Sequence, residues 1–328
     1  MAKKSVKLGT YGVLCVIGAA LIAIASAAPQ SSPESGPAAK PTSTAAAGGP
    51  ETFASPEQAA SAIVDAAEKF DVASLLKIVG HDGEDVVLTG EFAQDRERAK
   101  EFAAQARQKM HVSVDPKTKS RAYLIVGEHE WPFALPIVKR GESWSFDAAA
   151  GRQELFLRRI GSNELDAIEI CRGFVEAQND YLYLTQRTGY APAQYAQRIV
   201  ASPGKHDGLA WQNADGKWDG PIGEKIARAI QQGYNVSGEP YRGYFFKVLK
   251  GQGPSAPLGK MDFMVQGAMI GGFALVAAPA EYGETGIKTF MVSHTGVVYE
   301  KDFGADTLDA FQKMDLFDPD KSWNVVAE

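Results

Sequence analysis

Pro116 divides the sequence by hydrophobic period. Before it, apolar residues return at intervals of three and four; after it, they alternate. Helical spacing cannot line one face of a strand, nor alternation one face of a helix, so the switch demands helices followed by sheet. The helical part opens at "SPEQ", Ser55 to Gln58, a capping box with proline at the first helical position. Ala59, Ile63, Val64, Ala67 and Phe70 then share one face. Asp71 caps a second helix with the stripe Val72, Leu75, Leu76 and Val79, stopped by Gly80. A third, roughly 94–110, keeps Ala99, Phe102, Ala103, Ala106 and Met110 together. "RAYLIVG" (121–127), "ALPIVKR" (134–140) and "SWSFDA" (143–148) follow as antiparallel strands, the last two joined at Gly141-Glu142.

The second half repeats the plan on a larger scale. "AAAGRQELFLRRIGSNE" bridges to the longest predicted helix, about 164–187, capped by Ser162 or Asn163. Its stripe is Leu165, Ile168, Cys171, Phe174, Val175, Tyr181 and Leu182, wide enough to pack on a sheet. A loop-rich span (188–221), a helix near 221–233 and strands at 243–250, 271–278, 287–293 and 296–302 complete the chain. The fold class is therefore α+β. N-terminal helices pack on a short meander over 51–160, and a long helix packs on an antiparallel sheet over 161–328. The pattern of the first domain resembles the cone-shaped, nuclear-transport-factor-2-like fold.

Lys3, Lys4 and Lys7 precede an uncharged stretch, Leu8 to Ala28, that ends "AIASAAPQ". Charged flank, apolar core and Ala25-x-Ala27 make a signal peptide, residues 1–27, with cleavage after Ala27. Left uncut, the same segment is long enough to anchor the chain, and it is the one membrane contact expected. Residues 28–50, rich in Pro, Ser, Ala and Gly, form a disordered linker. The expected location is periplasmic or secreted. Cleavage removes Cys15 and leaves Cys171 alone, so no internal disulfide can form. It also lowers the 34 basic residues to 31 against 40 acidic ones, a net charge of −9. Such a body repels phosphate backbones, so nucleic acid is not an expected partner.

Motifs that would carry chemistry fall short. "GQGPSA" (251–256) fits a dinucleotide pattern, but Pro254 and Pro257 argue against the helix that must follow it. "GPSAPLGKM" has the wrong spacing for a phosphate loop and Met261 where Ser or Thr is needed. The five histidines, His81, His111, His129, His206 and His294, lack metal spacing, and "HEWPF" lacks the second His of HExxH. Asp315, Asp318 and Asp320 lack the frame of a calcium loop. There is no GxSxG elbow, and Cys171 sits in an apolar stripe. No cofactor, metal or catalytic residue is assigned.

"SPGKHDGLAW" (202–211) is the best candidate for recognition: Lys205, His206 and Asp207 crowd between glycines, beside Trp211. Tyr241 and Tyr244 are assigned to the same binding surface. A turn capped by Asp207, with Trp211 packed inward, gives the same residues a purely structural role. Trp131 and Trp218 fit a glycan groove or a core equally well. "AEYGETGIKTFMVSHTGVVYEKDFG" (280–304) places Ser293, His294, Glu300 and Asp302 close together. Its alternation reads instead as a hairpin turning at "SHTG", with His294 at the tip.

"WPFALPIV" (131–138), "FDAAAGRQELFLRRIGSNELDAIEICRGFVEAQNDY" (146–181), "YAQRIVASPGKHDGLAW" (195–211) and "GGFALVAAPAEYGETGIKTFMVSHTGVVYEKDFG" (271–304) resemble the bacterial family catalogued as domain of unknown function 2950. The resemblance spans roughly 53–326 and implies an exported envelope protein of Gram-negative bacteria, without implying an activity. "NELDAI…EAQNDY" followed by "PAEYGETGIKTFMVSHTGVVYEKD" is also similar to globular regions of type II secretion pseudopilin-like proteins. The N-terminus has no prepilin cleavage site, so that likeness implies shape and not filament formation. The expected function is a non-enzymatic envelope module that binds an envelope protein or glycan. The alternatives are a hydrolase using His206 or His294 with Asp207 or Glu281, and a secretion-associated accessory protein.

Overall fold

A computed structural model describes residues 49–189, 193–222 and 240–327. The expected signal peptide, nearly all of the linker and most of the helix near 221–233 lie outside the described residues. The chain is α+β, and it divides into two compact units, one ending at Leu157 and the other starting at Arg158.

The N-terminal unit begins with α1 (Pro56–Lys69), capped by Ser55 Oγ accepting from Gln58 N at 3.2 Å. α2 (Val72–Val79) is capped by Asp71, which accepts from Ser74 N at 3.1 Å and Ser74 Oγ at 2.7 Å. A 3₁₀ turn (His81–Gly83) and α3 (Glu84–Val87) lead to α4 (Phe92–Gln108). α4 stops short of its expected end, because Met110–Val114 forms β1. The residues "MHVSV" alternate, and β1 pairs antiparallel with β2 (Arg121–Val126), Met110 opposite Val126. β3 (Trp131–Pro132), β4 (Ile137–Arg140) and β5 (Ser143–Phe146) complete a sheet ordered β1-β2-β4-β5, with β3 on β2. β4 is shorter than expected, since Pro136 has no N–H to give the ladder. Ile63 and Val64 of α1, Phe102 of α4, Leu124, Ile137 and Phe146 share one core.

α5 runs unbroken from Ala148 to Thr188, so the expected bridge is helical and neither Ser162 nor Asn163 caps it. Asp147 is the cap, accepting from Ala150 N at 3.0 Å. The division between the units falls inside this helix. Asn163 and Glu164 instead hold the 280s loop: Asn163 Nδ2 donates to Thr285 O at 2.9 Å. Glu164 Oε1 accepts from Ile287 N and Lys288 N at 2.8 and 2.9 Å. Gly151 lies within the helix, and its lack of a Cβ serves packing, since a Cβ there would lie 2.7 Å from Leu135 Cγ.

In the C-terminal unit, the buried face of α5 follows Ala167, Cys171, Phe174, Gln178, Tyr181 and Thr185, while Leu165, read as part of the stripe, is 61% exposed. β6 (Arg198–Val200), β7 (Gly208–Gln212) and β8 (Trp218–Asp219) form a small sheet. β9 (Tyr244–Leu249) leads to the short pairs β10 (Gly251–Gln252) with β11 (Met261–Asp262) and β12 (Met264–Val265) with β13 (Ala268–Met269). β14 (Ala274–Pro279), β15 (Thr289–Ser293), β16 (Val298–Lys301) and β17 (Asn324–Val325) then build an antiparallel sheet ordered β17-β16-β15-β14-β9. β14 and β15 are wholly buried, as central strands covered on both faces must be. The hairpin has the register its alternation implies, with Thr289 opposite Lys301, Met291 opposite Tyr299 and Val292 opposite Val298. On β9, Lys247 Nζ donates to the last carbonyls of the helix Thr307–Lys313, Phe311 O at 2.7 Å and Gln312 O at 3.1 Å.

Candidate functional site

β6 and β7 are parallel neighbours, with Arg198 opposite Gly208 and Val200 opposite Ala210. Residues 201–207 join them directly, a connection well below the dozen or so residues parallel strands ordinarily need. Two devices make that possible. Gly208 lacks the Cβ that would lie 2.7 Å from Val200 C, with Ala201 N closer still. Asp207 staples the loop, accepting from Ser202 N at 2.7 Å and Ser202 Oγ at 2.9 Å, with Arg198 Nε 3.7 Å away. Lys205 N closes a turn onto Ser202 O at 2.9 Å. From below, Tyr181 of α5 donates its hydroxyl to His206 O at 2.5 Å. Burial and the nearby Asp207 charge push the Tyr181 phenol up to about 12, so it stays protonated as a donor.

The assigned binding residues thus separate by role. Lys205 is exposed and His206 half-buried, its ring edge-on to Trp211 with centroids 4.8 Å apart. Trp211 is 2% exposed and Tyr244 1% exposed, so both are core residues and not contact residues as expected. Tyr244 sits over Gly286 and Phe290 and donates to Lys288 O at 2.9 Å. Tyr241 is half-buried, with the Arg242 guanidinium 5.9 Å from its ring centre and Asp166 holding that guanidinium at 2.7 Å.

His294, the other expected general base, and Glu281, its expected assisting carboxylate, lie at opposite ends of the β14–β15 pair. His294 follows β15 and donates its backbone N–H to Phe273 O, just before β14 begins; Glu281 follows the far end of β14. Phe273 and Glu281 are eight residues apart, so at about 3.3 Å per residue the two groups are separated by roughly 26 Å of chain, too far to share a proton. His294 is half-buried between the edges of Phe263 and Phe273, with ring centres at 5.9 and 6.2 Å, and its Nδ1 has no hydrogen-bond partner among the described residues. Burial lowers its pKa. Glu281 is raised by sharing a hydrogen bond with Glu284. Among the described residues no group of three His, Cys, Asp or Glu is placed to hold a metal ion. Burial pushes the Cys171 thiol up to about 12, removing it as a nucleophile. "GQGPSA" opens no helix: Gly251–Gln252 is a strand, Gly253 N bonds Phe317 O, and Ser255 N bonds Asp318.

The N-terminal unit carries two open clefts of about 400 and 410 Å³ that share Arg140 and Asp147. The second also takes in Arg121, Tyr123 and Lys139. Sequence reasoning passed over these residues, although the alternation in "RAYLIVG" sets Arg121 and Tyr123 opposite the buried Ala122 and Leu124.

Residues 50–326 match the model of a family described as Protein of unknown function (DUF2950). The chain belongs to this family. The match takes in both units, the stapled loop and both clefts, so all of these are parts of one family domain. No curated protein and no solved structure matches the chain. The pseudopilin-like likeness of the C-terminal half therefore gains no support. Among the described residues no helix is long and apolar enough to cross a membrane.

Proposed function

We propose that this DUF2950 protein is an exported, periplasmic binding module that uses the loop 202–207 to recognise an envelope protein or glycan. One observation carries the reading. The loop is stapled by Asp207 and propped by Tyr181, so Lys205 and His206 stand on a fixed backbone. A preorganised polar surface loses little entropy on binding, which favours recognition. Hydrolysis is supported less: the Asp207 carboxylate is committed to Ser202 and faces Arg198, and the other expected pair is split along a strand. The charged N-terminal flank and apolar segment support export.

A photo-crosslinking residue at position 205, introduced in living cells, tests the binding role. The expected result is a discrete adduct that disappears in Asp207→Ala and is not formed from position 100. Equal labelling from both positions would overturn the proposal. So would turnover of purified cell-wall material that vanishes with His206→Ala. A reporter fused after residue 50 that stayed cytoplasmic would defeat export.

A further inference from the structure

We infer that the outer face of the N-terminal sheet carries an anion-binding cleft, built on Arg121 and Arg140, for a ligand bearing carboxylate or phosphate groups. Arg121 on β2 lies opposite Val138 on β4, and Arg140 is two residues further along β4. Two residues along a strand restore the same face, so both arginines lie on the face opposite the buried Ala122 and Ile137 as diagonal neighbours, about 7–8 Å apart at the backbone. Tyr123 stands on that face beside Arg121, half-buried. The cleft of about 410 Å³ lies over them.

What sets this spot apart is two arginines outside any ion pair lining one cleft. Arg98, Arg107, Arg152, Arg198 and Arg242 each find a carboxylate. Arg121 and Arg140, like the exposed Arg172 and Arg187 of α5, have neither an ion pair nor a side-chain hydrogen bond among the described residues, although two aspartates line the same cleft and the Arg121 charge helps to lower the Asp115 pKa. Those aspartates are committed elsewhere. Asp115 accepts from Lys117 N at 2.8 Å and Thr118 Oγ1 at 3.1 Å, and Asp147 caps α5. Lys139, also lining the cleft, has an exposed Glu142 at 3.8 Å. Two guanidiniums placed side by side repel each other mildly. On a body with a surplus of acid, two such cations outside any ion pair leave a set of fork-shaped donors open to an incoming anion.

The test is calorimetric titration of the purified protein with inorganic phosphate and, separately, citrate. Saturable one-site binding of at least one probe is expected. Arg121→Ala and Arg140→Ala should each weaken it about tenfold or more, the loss of one charge-assisted contact. Arg140→Lys should recover only part, because a lysine cannot bind bidentately. Arg187→Ala, removing an exposed arginine of α5 outside the cleft, should change nothing. Phosphate binding alone assigns a phosphoryl ligand, and citrate binding alone a carboxylate. Failure of both probes, equal weakening by Arg187→Ala, or full binding by both alanine variants would overturn the site.

Discussion

Gln178 offers the sharpest test of how the recognition loop is held. It sits on α5, 0% exposed, and its amide clamps one residue of the segment leading into β6. Nε2 donates to Ala196 O at 2.9 Å, and Oε1 accepts from Ala196 N at 2.8 Å. Ala196 is itself buried and gives these groups no water. Gln178→Met preserves length and nearly all the volume, so the cavity contribution is small. What it removes is both hydrogen bonds, leaving a buried N–H and a buried C=O unpaired at about 1–3 kcal/mol each. The expected loss is therefore about 2–6 kcal/mol, read as a lower urea midpoint with an unchanged slope. Hydrogen exchange at the Ala196 amide should accelerate along with the β6–β7 segment.

Gln178→Glu separates the hydrogen bonds from shape. An ionised carboxylate still accepts from Ala196 N but faces Ala196 O with no proton, so the folded state favours the protonated acid. A carboxyl with a raised folded pKa stabilises fully below its unfolded value, near 4.3, and that stability is lost as pH rises through the folded pKa. The Glu variant should thus approach wild type in acid and fall away toward neutrality. A Met variant within about 0.5 kcal/mol of wild type, the usual range for an inconsequential surface change, would refute the clamp.

Three further outcomes follow from local geometry. Gly208→Ala drives a Cβ into the Val200–Ala201 backbone, which cannot swing aside as a side chain would. It should cost about 3 kcal/mol or more and abolish the cross-link from position 205, checked by urea unfolding and adduct formation. Leu258 is 79% exposed with φ 73°, between two carbonyls that Gln252 Nε2 holds at Pro257 and Gly259. Leu258→Gly relieves a left-handed residue and should raise stability by up to about 1 kcal/mol, seen as a higher Tm. His294 has a depressed folded pKa, so its neutral form is favoured in the fold. Stability should be full above pH 6.5 and decline below it as the buried ring is forced to charge. His294→Leu should flatten that part of the stability–pH profile.

The elements legible from the sequence are those whose causes are local. Ser55 and Asp71 each bond an N–H three residues ahead, so the residue types alone mark the helix starts. The 289–301 hairpin follows from alternation around Gly296, whose φ of 79° suits a tight turn. The first turns of α5 were hidden because glycine has two causes that look alike in sequence. Gly161 faces open space, and Gly151 makes room for Leu135; neither ends the helix. β1 was missed because Met110 continued the stripe of α4, and only pairing with β2 decides the competition.

The candidate sites divide along the same line. Asp207 as a loop staple was visible, because its partner Ser202 is five residues away and Asx bonding is a short-range habit. Whether Trp211 faces solvent was not, since it is buried in a core that draws Ile199 from β6 and Tyr181 from α5. Arg121 and Arg140 become a pair only through the β2–β4 register, and a slip of one residue would send Arg140 to the opposite face of the sheet. Even with the register known, their availability depends on where Asp115 and Asp147 spend their oxygens. In a chain of net negative charge, the position of a basic site is thus decided less by how many arginines there are than by which of them the acids leave alone.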